Sequence, residues 1–249
     1  MDDALALGNA AGMKSSWINT GSFSLLAQTR INQPGLPIRV YIEGDGFAYV
    51  TRGQPSIDPS PINPVALRLA AVDTSANIAW VARPCQYVML AQIQDDCPLQ
   101  YWTSHRMAPE VVEALGAALS KIANGGKIEL VGYSGGGAAA VLLAARRSDV
   151  INVRTVAGNL DLEAFARHHR LAPMRYSLDA SSVADRVSHL PQLHFVGAKD
   201  EIVPPELQYN FIKRVGEAGK SVTVASADHQ KGWGEAWPGL LQRHFPTKH

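Results

Sequence analysis

The chain has 249 residues, 46% of them hydrophobic and 18% charged, with a formal net charge of +1. That balance is ordinary for a globular protein with enough apolar material to bury a core. No Lys/Arg block or acidic tail points to nucleic acid or an anionic membrane surface as a partner, and no apolar run approaches the roughly 18 residues that a membrane span needs.

The opening stretch "MDDALALGNAAGMKSSW" is acidic where a secretory signal is basic, and its apolar part is short, so it does not read as a signal peptide. "FSLLAQTRI" (Phe23 to Ile31) and "IRVYIEGD" (Ile38 to Asp45) then read as strands joined by a Pro/Gly turn, which suggests an antiparallel edge. A Pro-rich loop, Gly53 to Pro64, leads into the helix "PVALRLAAVD" and the strand "NIAWVARP". Cys85 and Cys97 follow in "CQYVMLAQIQDDC". Their spacing allows a disulfide across a polar loop; two free thiols are the alternative, and nothing completes a four-ligand metal site.

Beyond them, "APEVVEALGAALSKIAN" is a helix, "KIELVGYS" a strand, "GGAAAVLLAARRS" a helix and "VINVRTVAGN" a strand. The alternation breaks between Leu160 and Leu190, which holds helical segments only, and resumes with the strand "QLHFVGAKD". A helix "PELQYNFIKRVGEAG", a strand "SVTVASAD" and a helix around "WGEAWPGLLQRHF" close the chain. This pattern specifies an α/β class, with a largely parallel sheet and helices on both faces.

Chemistry enters at "LVGYSGGGAAAV". Ser134 ends a strand and precedes a helix, with Gly132 and Gly136 two residues to either side. A serine on such a corner presents its Oγ, and its neighbours must be small so that strand and helix can approach. No lysine follows the glycines, which rules out a phosphate-binding P-loop, and the spacing does not fit a dinucleotide fingerprint. A nucleophilic serine needs a base and a group to orient it. Asp200 follows the strand "QLHFVGAKD" and His229 follows "SVTVASAD", so Ser134, Asp200 and His229 converge on one sheet edge. Asp161, beyond "VRTVAGN", is an alternative acid, whereas Asp228 adjoins His229 and points away from it. The glycine-broken stretch Glu43-Gly44-Asp45-Gly46 puts backbone N–H groups of Asp45 or Gly46 forward as oxyanion donors, together with that of Gly135. Arg83, Tyr87, Tyr101 and Trp102, after "NIAWVARP", are candidates for lining a pocket or for surrounding the cysteines.

With these residues in place, the chain from Arg39 to Phe245 resembles the α/β-hydrolase superfamily: "GYSGG", the acid in "GAKDEIVP" and the histidine in "DHQKGW" match its pattern in order and position. Many members carry His-Gly where this chain has Glu43-Gly44. The resemblance implies a single α/β-hydrolase domain over 1–249, with 160–190 a small cap or lid after the sixth strand, too short to call for long acyl chains. It implies a serine hydrolase working without metal or cofactor on a small-molecule or acyl substrate. Carboxylic ester hydrolysis comes first; peptidase or amidase activity, acyl transfer, and a non-catalytic binding protein on the same fold are the alternatives. "YIEGDG", "ARPCQY" and "HFVGAKD" are also similar to bacterial members that carry a lipoprotein or secretory leader, which implies a periplasmic or secreted location, with a cytoplasmic one as the alternative, and a Cys85–Cys97 disulfide.

Overall fold

The computed structural model describes residues 2–88 and 97–246. The chain runs α1 (Asp2–Ala10), β1 (Lys14–Asn19), β2 (Ser24–Ile31), β3 (Ile38–Ile42), a hairpin of β4 (Tyr49–Thr51) and β5 (Gln54–Pro55), α2 (Val65–Val72), β6 (Asn77–Val81), α3 (Pro109–Ala123), β7 (Ile128–Tyr133), α4 (Gly135–Ala144), β8 (Val150–Val156), α5 (Leu162–His169), α6 (Ala184–Val187), β9 (Gln192–Gly197), α7 (Pro205–Val215), β10 (Gly219–Val224) and α8 (Trp233–Leu241).

Eight strands form one sheet in the order β1-β2-β6-β3-β7-β8-β9-β10. β6, β3, β7, β8, β9 and β10 pair in parallel; β2 is antiparallel to β6, and β1 to β2. The expected antiparallel edge is there, but β2 and β3 are not the neighbours that make it. The β3–α2–β6 crossover lays β6 on β3 and so separates β3 from β2; the remaining edge of β2 is taken by β1.

A separate apolar core covers each face of the sheet. One gathers α3, α4, α6 and α7, with Val111, Leu115, Val141, Val187 and Phe211. The other gathers α2 and α8, with Leu67, Leu69, Trp233 and Trp237 packed on Tyr41, Trp80 and Phe195. Strands covered on both sides have no solvent face to alternate toward, which is why β6 and β9 are buried along their whole length and read as near-continuous apolar runs. Helix ends follow local chemistry. α3 begins on Pro109 and stops at Asn124, whose left-handed φ of 45° ends the helix. α5 is capped by the Asp161 carboxylate, which accepts the Ala164 N–H at 2.8 Å. The stretch from Leu160 to Leu190 lies between β8, the sixth strand of the sheet in chain order, and β9; it contains α5, a 3₁₀ turn and α6.

Candidate active site

Ser134 sits where β7 turns into α4. Its φ of 51° and ψ of −120° are a conformation that non-glycine residues rarely adopt. The corner survives because its surroundings leave no alternative. Ser134 N–H donates to Val156 O, and its carbonyl accepts the N–H groups of Gly137 and Asn159. A Cβ on Gly132 would stand 2.1 Å from Gly136 O, and one on Gly136 would stand 2.3 Å from Ile42 O. The glycines on either side of the serine are therefore imposed by backbone-to-backbone approach among β3, β7 and α4.

The sheet edge then assembles the partners. Asp200 follows β9 and His229 follows β10. His229 Nδ1 lies 2.9 Å from Asp200 Oδ2 and 3.1 Å from Oδ1, and its Nε2 lies 3.1 Å from Ser134 Oγ. With a carboxylate at Nδ1, that nitrogen carries the proton, and Nε2 is left to accept the Ser134 hydroxyl. The Asp200 side chain is fully buried, and its Oδ1 also accepts the N–H groups of Ile202 and Val203 at 2.9 and 2.8 Å. The His229 carbonyl accepts from Tyr133 Oη at 2.9 Å and from Trp233 Nε1 at 3.2 Å, which fixes the backbone from which the ring projects. The two other acids are spent elsewhere. Asp161 caps α5, and Asp228 accepts the N–H groups of Gln230 and Lys231 within its own turn.

The loop after β3 packs directly on the corner. A Cβ on Gly44 would stand 3.4 Å from Ser134 Cβ, and one on Gly135 would stand 2.2 Å from Asp45 Oδ1. Asp45 and Gly135 thus meet, and no backbone carbonyl takes the N–H of Asp45 or Gly46 among the described residues. Gly135 opens α4, where first-turn N–H groups have no partner within the helix. Buried side chains brace this loop. The Asp45 carboxylate pairs with Arg106 at 2.8 Å and Arg83 at 3.3 Å. Burial alone would raise the Asp45 carboxyl, yet the two guanidiniums outweigh it and hold it below the usual carboxylate range. Gln86 donates from Nε2 to Gly44 O at 2.9 Å and accepts the Arg83 N–H at 3.0 Å. Gly46, with φ +70°, has Pro59 O and Gln86 Nε2 where a Cβ would go. Just beyond lies the Cys85–Cys97 disulfide, with Cα atoms 5.6 Å apart; residues 89–96 of the predicted polar loop lie outside the described residues.

A cavity of about 610 Å³ opens onto Ser134 and His229. Arg83, Tyr87, Tyr101 and Trp102 do not line it. Arg83 is turned to Asp45, Tyr87 is buried against Trp80, and Trp102 donates Nε1 to Ser56 O. The arginine at the cavity wall is Arg106, which sequence spacing does not single out.

No family model matches the chain, and no curated protein matches its sequence. Solved structures do match it across nearly its whole length. Est1E from Butyrivibrio proteoclasticus, in its complex with ferulic acid, is 16% identical with a TM-score of 0.66, over 91% of this chain and 97% of that one. A dienelactone hydrolase from Anabaena variabilis is 18% identical with a TM-score of 0.61, over 92% and 93%. A lidless α/β serine hydrolase from Xanthomonas campestris is 12% identical with a TM-score of 0.56, over 95% and 97%. The chain has the α/β-hydrolase fold.

Glu43, which stands where many α/β-hydrolases carry histidine, has a structural explanation. Pro64 at the head of α2 supplies no side-chain cap. The Glu43 carboxylate takes its place, accepting from the Ala66 and Leu67 N–H groups at 3.3 Å each, from Gly44 N–H at 3.1 Å and from Trp80 Nε1 at 2.9 Å. Burial pushes this carboxyl up, and the four donors pull against that. The residue that departs from the α/β-hydrolase pattern here joins the start of a helix to the loop beside Ser134.

Proposed function

We propose that this α/β-hydrolase-fold chain is a serine hydrolase acting on carboxylic esters through an acyl-enzyme. The observation that carries this reading is the unbroken hydrogen-bonded series Asp200–His229–Ser134 at the wall of an open cavity. His229 Nε2 takes the Ser134 proton as Oγ bonds to the ester carbonyl carbon, and Asp200 steadies the imidazolium. The N–H groups of Gly135 and of Asp45 or Gly46 stabilise the oxyanion, helped by the N-terminus of α4. The tetrahedral intermediate expels the alcohol, which takes the proton from Nε2. Water then attacks the acyl-enzyme, giving its proton to the same nitrogen, and Ser134 is regenerated with release of the acid. No step calls on a metal or cofactor.

The reading includes a single domain in which residues 160–190 form a small cap, and a periplasmic or secreted location in keeping with the disulfide. A fluorophosphonate probe tests the chemistry. Wild type is expected to be labelled and Ser134→Ala not; an unlabelled wild type removes the proposal.

A further inference from the structure

A second hollow lies beside the cavity at Ser134. Tyr49, Arg106 and Phe165 border both the cavity and this trough of about 780 Å³, whose wall also includes Val50, Leu99, Leu171 and Met174. The trough wall comes from the β4–β5 hairpin, the turn that begins at Leu99 and the stretch after α5, none of which contributes to the Ser134–His229–Asp200 series.

Large apolar side chains face solvent around both hollows. Phe47, Tyr49 and Ile202 line the Ser134 cavity; Val50, Leu99 and Leu171 line the trough, with Val50 52% and Leu99 48% exposed. Single exposed apolar residues need no explanation, but a group of them around adjoining hollows beside a nucleophile marks a binding surface. Arg106, at the border of the two hollows, does not present an unmatched charge to an apolar chain. Its charge is met by Asp45, and its Nε donates to Thr103 O at 2.9 Å. The shortness of 160–190 gave no reason to expect such a surface, because much of it is built from the hairpin after the oxyanion loop.

We infer that this trough receives an extended apolar chain of the substrate, so that the substrate class is esters of long-chain acids or alcohols rather than acetyl-sized esters. The inference rests on the serine-hydrolase reading and deepens it. Burying a chain in the trough lowers the free energy of the bound transition state in proportion to the apolar area removed from water.

Two series test it: p-nitrophenyl acetate, butyrate and octanoate for the acyl side, and methyl against octyl acetate for the alcohol side. In at least one series, wild-type kcat/KM is expected to rise tenfold or more from the short to the long ester. Val50→Asp puts a charge on an exposed hairpin position, and Met174→Trp fills the trough. Each is expected to lower the long-to-short ratio of kcat/KM at least fivefold. A wild-type ratio near one in both series, or a ratio that neither variant changes, overturns the inference while Ser134 labelling and short-ester turnover leave the hydrolase reading standing. Absence of both labelling and turnover overturns the two together.

Discussion

Asp200 and Asp161 both follow strands at the same sheet edge, and only their partners tell them apart. The Asp200 carboxylate faces His229 Nδ1, whereas Asp161 is spent on the Ala164 N–H at the head of α5. Asp200→Asn is therefore expected to cut kcat on the order of 10⁴-fold, because the imidazole loses both its tautomer and its compensating charge. Asp161→Asn keeps a capping side chain and is expected to stay within about twofold of wild type; comparable losses in the two variants, measured on one ester, would reject the assignment. Asp45 carries a different burden. Removing its charge leaves Arg83, only 4% exposed, without its carboxylate. Asp45→Asn is expected to lower unfolding stability by about 3 kcal/mol, the usual scale for stripping one partner from a buried ion pair, read from the urea midpoint. The three residues of the proposed triad were legible because each follows a strand and the fold class fixes their order. Arg106 and Gln86 were not. They reach the loop across 61 and 42 positions of sequence, and no local spacing announces such contacts.

At the scale of elements, the serine corner is a three-body contact. β7 and α4 form it, and β3 runs beneath it, so close that the Gly136 Cα faces the Ile42 carbonyl. Gly136→Ala would drive α4 off β3 and shift Ser134 Oγ from His229 Nε2. The expected result is a folded protein with kcat reduced on the order of a hundredfold, since displacements near 1 Å at a reacting group cost about that much. Circular dichroism together with ester turnover reads both halves of this expectation, and full activity in the alanine variant would show that the contact can relax. The corner was visible in the sequence because its glycines have a single steric cause. α1 and β1 were not. The side chains of β1 are mostly exposed, so it lacks the apolar alternation that marks a half-buried strand, and only pairing with β2 defines it. Glu43 was misleading in a comparable way: as a residue of the loop after β3 it looks like a departure from pattern, and its role appears only once the start of α2 is seen to lack a cap of its own.

For the whole molecule, the sheet sets both where the chemistry sits and how stability responds to acid. Parallel strands deliver the loops after β3, β7, β9 and β10 to one edge, so residues far apart in sequence share a cavity. Burying strands on both faces also brings a titratable group inside. His194, on β9, is fully buried, with Nδ1 2.8 Å from Thr155 Oγ1, Nε2 without a hydrogen-bond partner among the described residues and the Phe211 ring against it. Burial pushes its pKa down from 6.5 to about 3. Between those values the unfolded chain holds a proton that the folded chain does not, so stability is fully present above 6.5 and falls as pH drops toward 3. One such proton contributes at most about 1.4 kcal/mol per pH unit. Asp45 and Asp73, both held low by arginines, add losses of the same sign in more acidic solution. Glu43, raised by burial, acts in the opposite sense, giving up stability as pH climbs above its ordinary value of 4.5. The raw slope of the wild type therefore mixes signs, and the measurement is a comparison. Urea unfolding of wild type and His194→Gln at several pH values from 4.5 to 7.5 is expected to give a smaller loss for the variant on acidification, by about 1 kcal/mol or more at the lowest pH. Parallel curves for the two proteins would mean that His194 takes up its proton without opening the core.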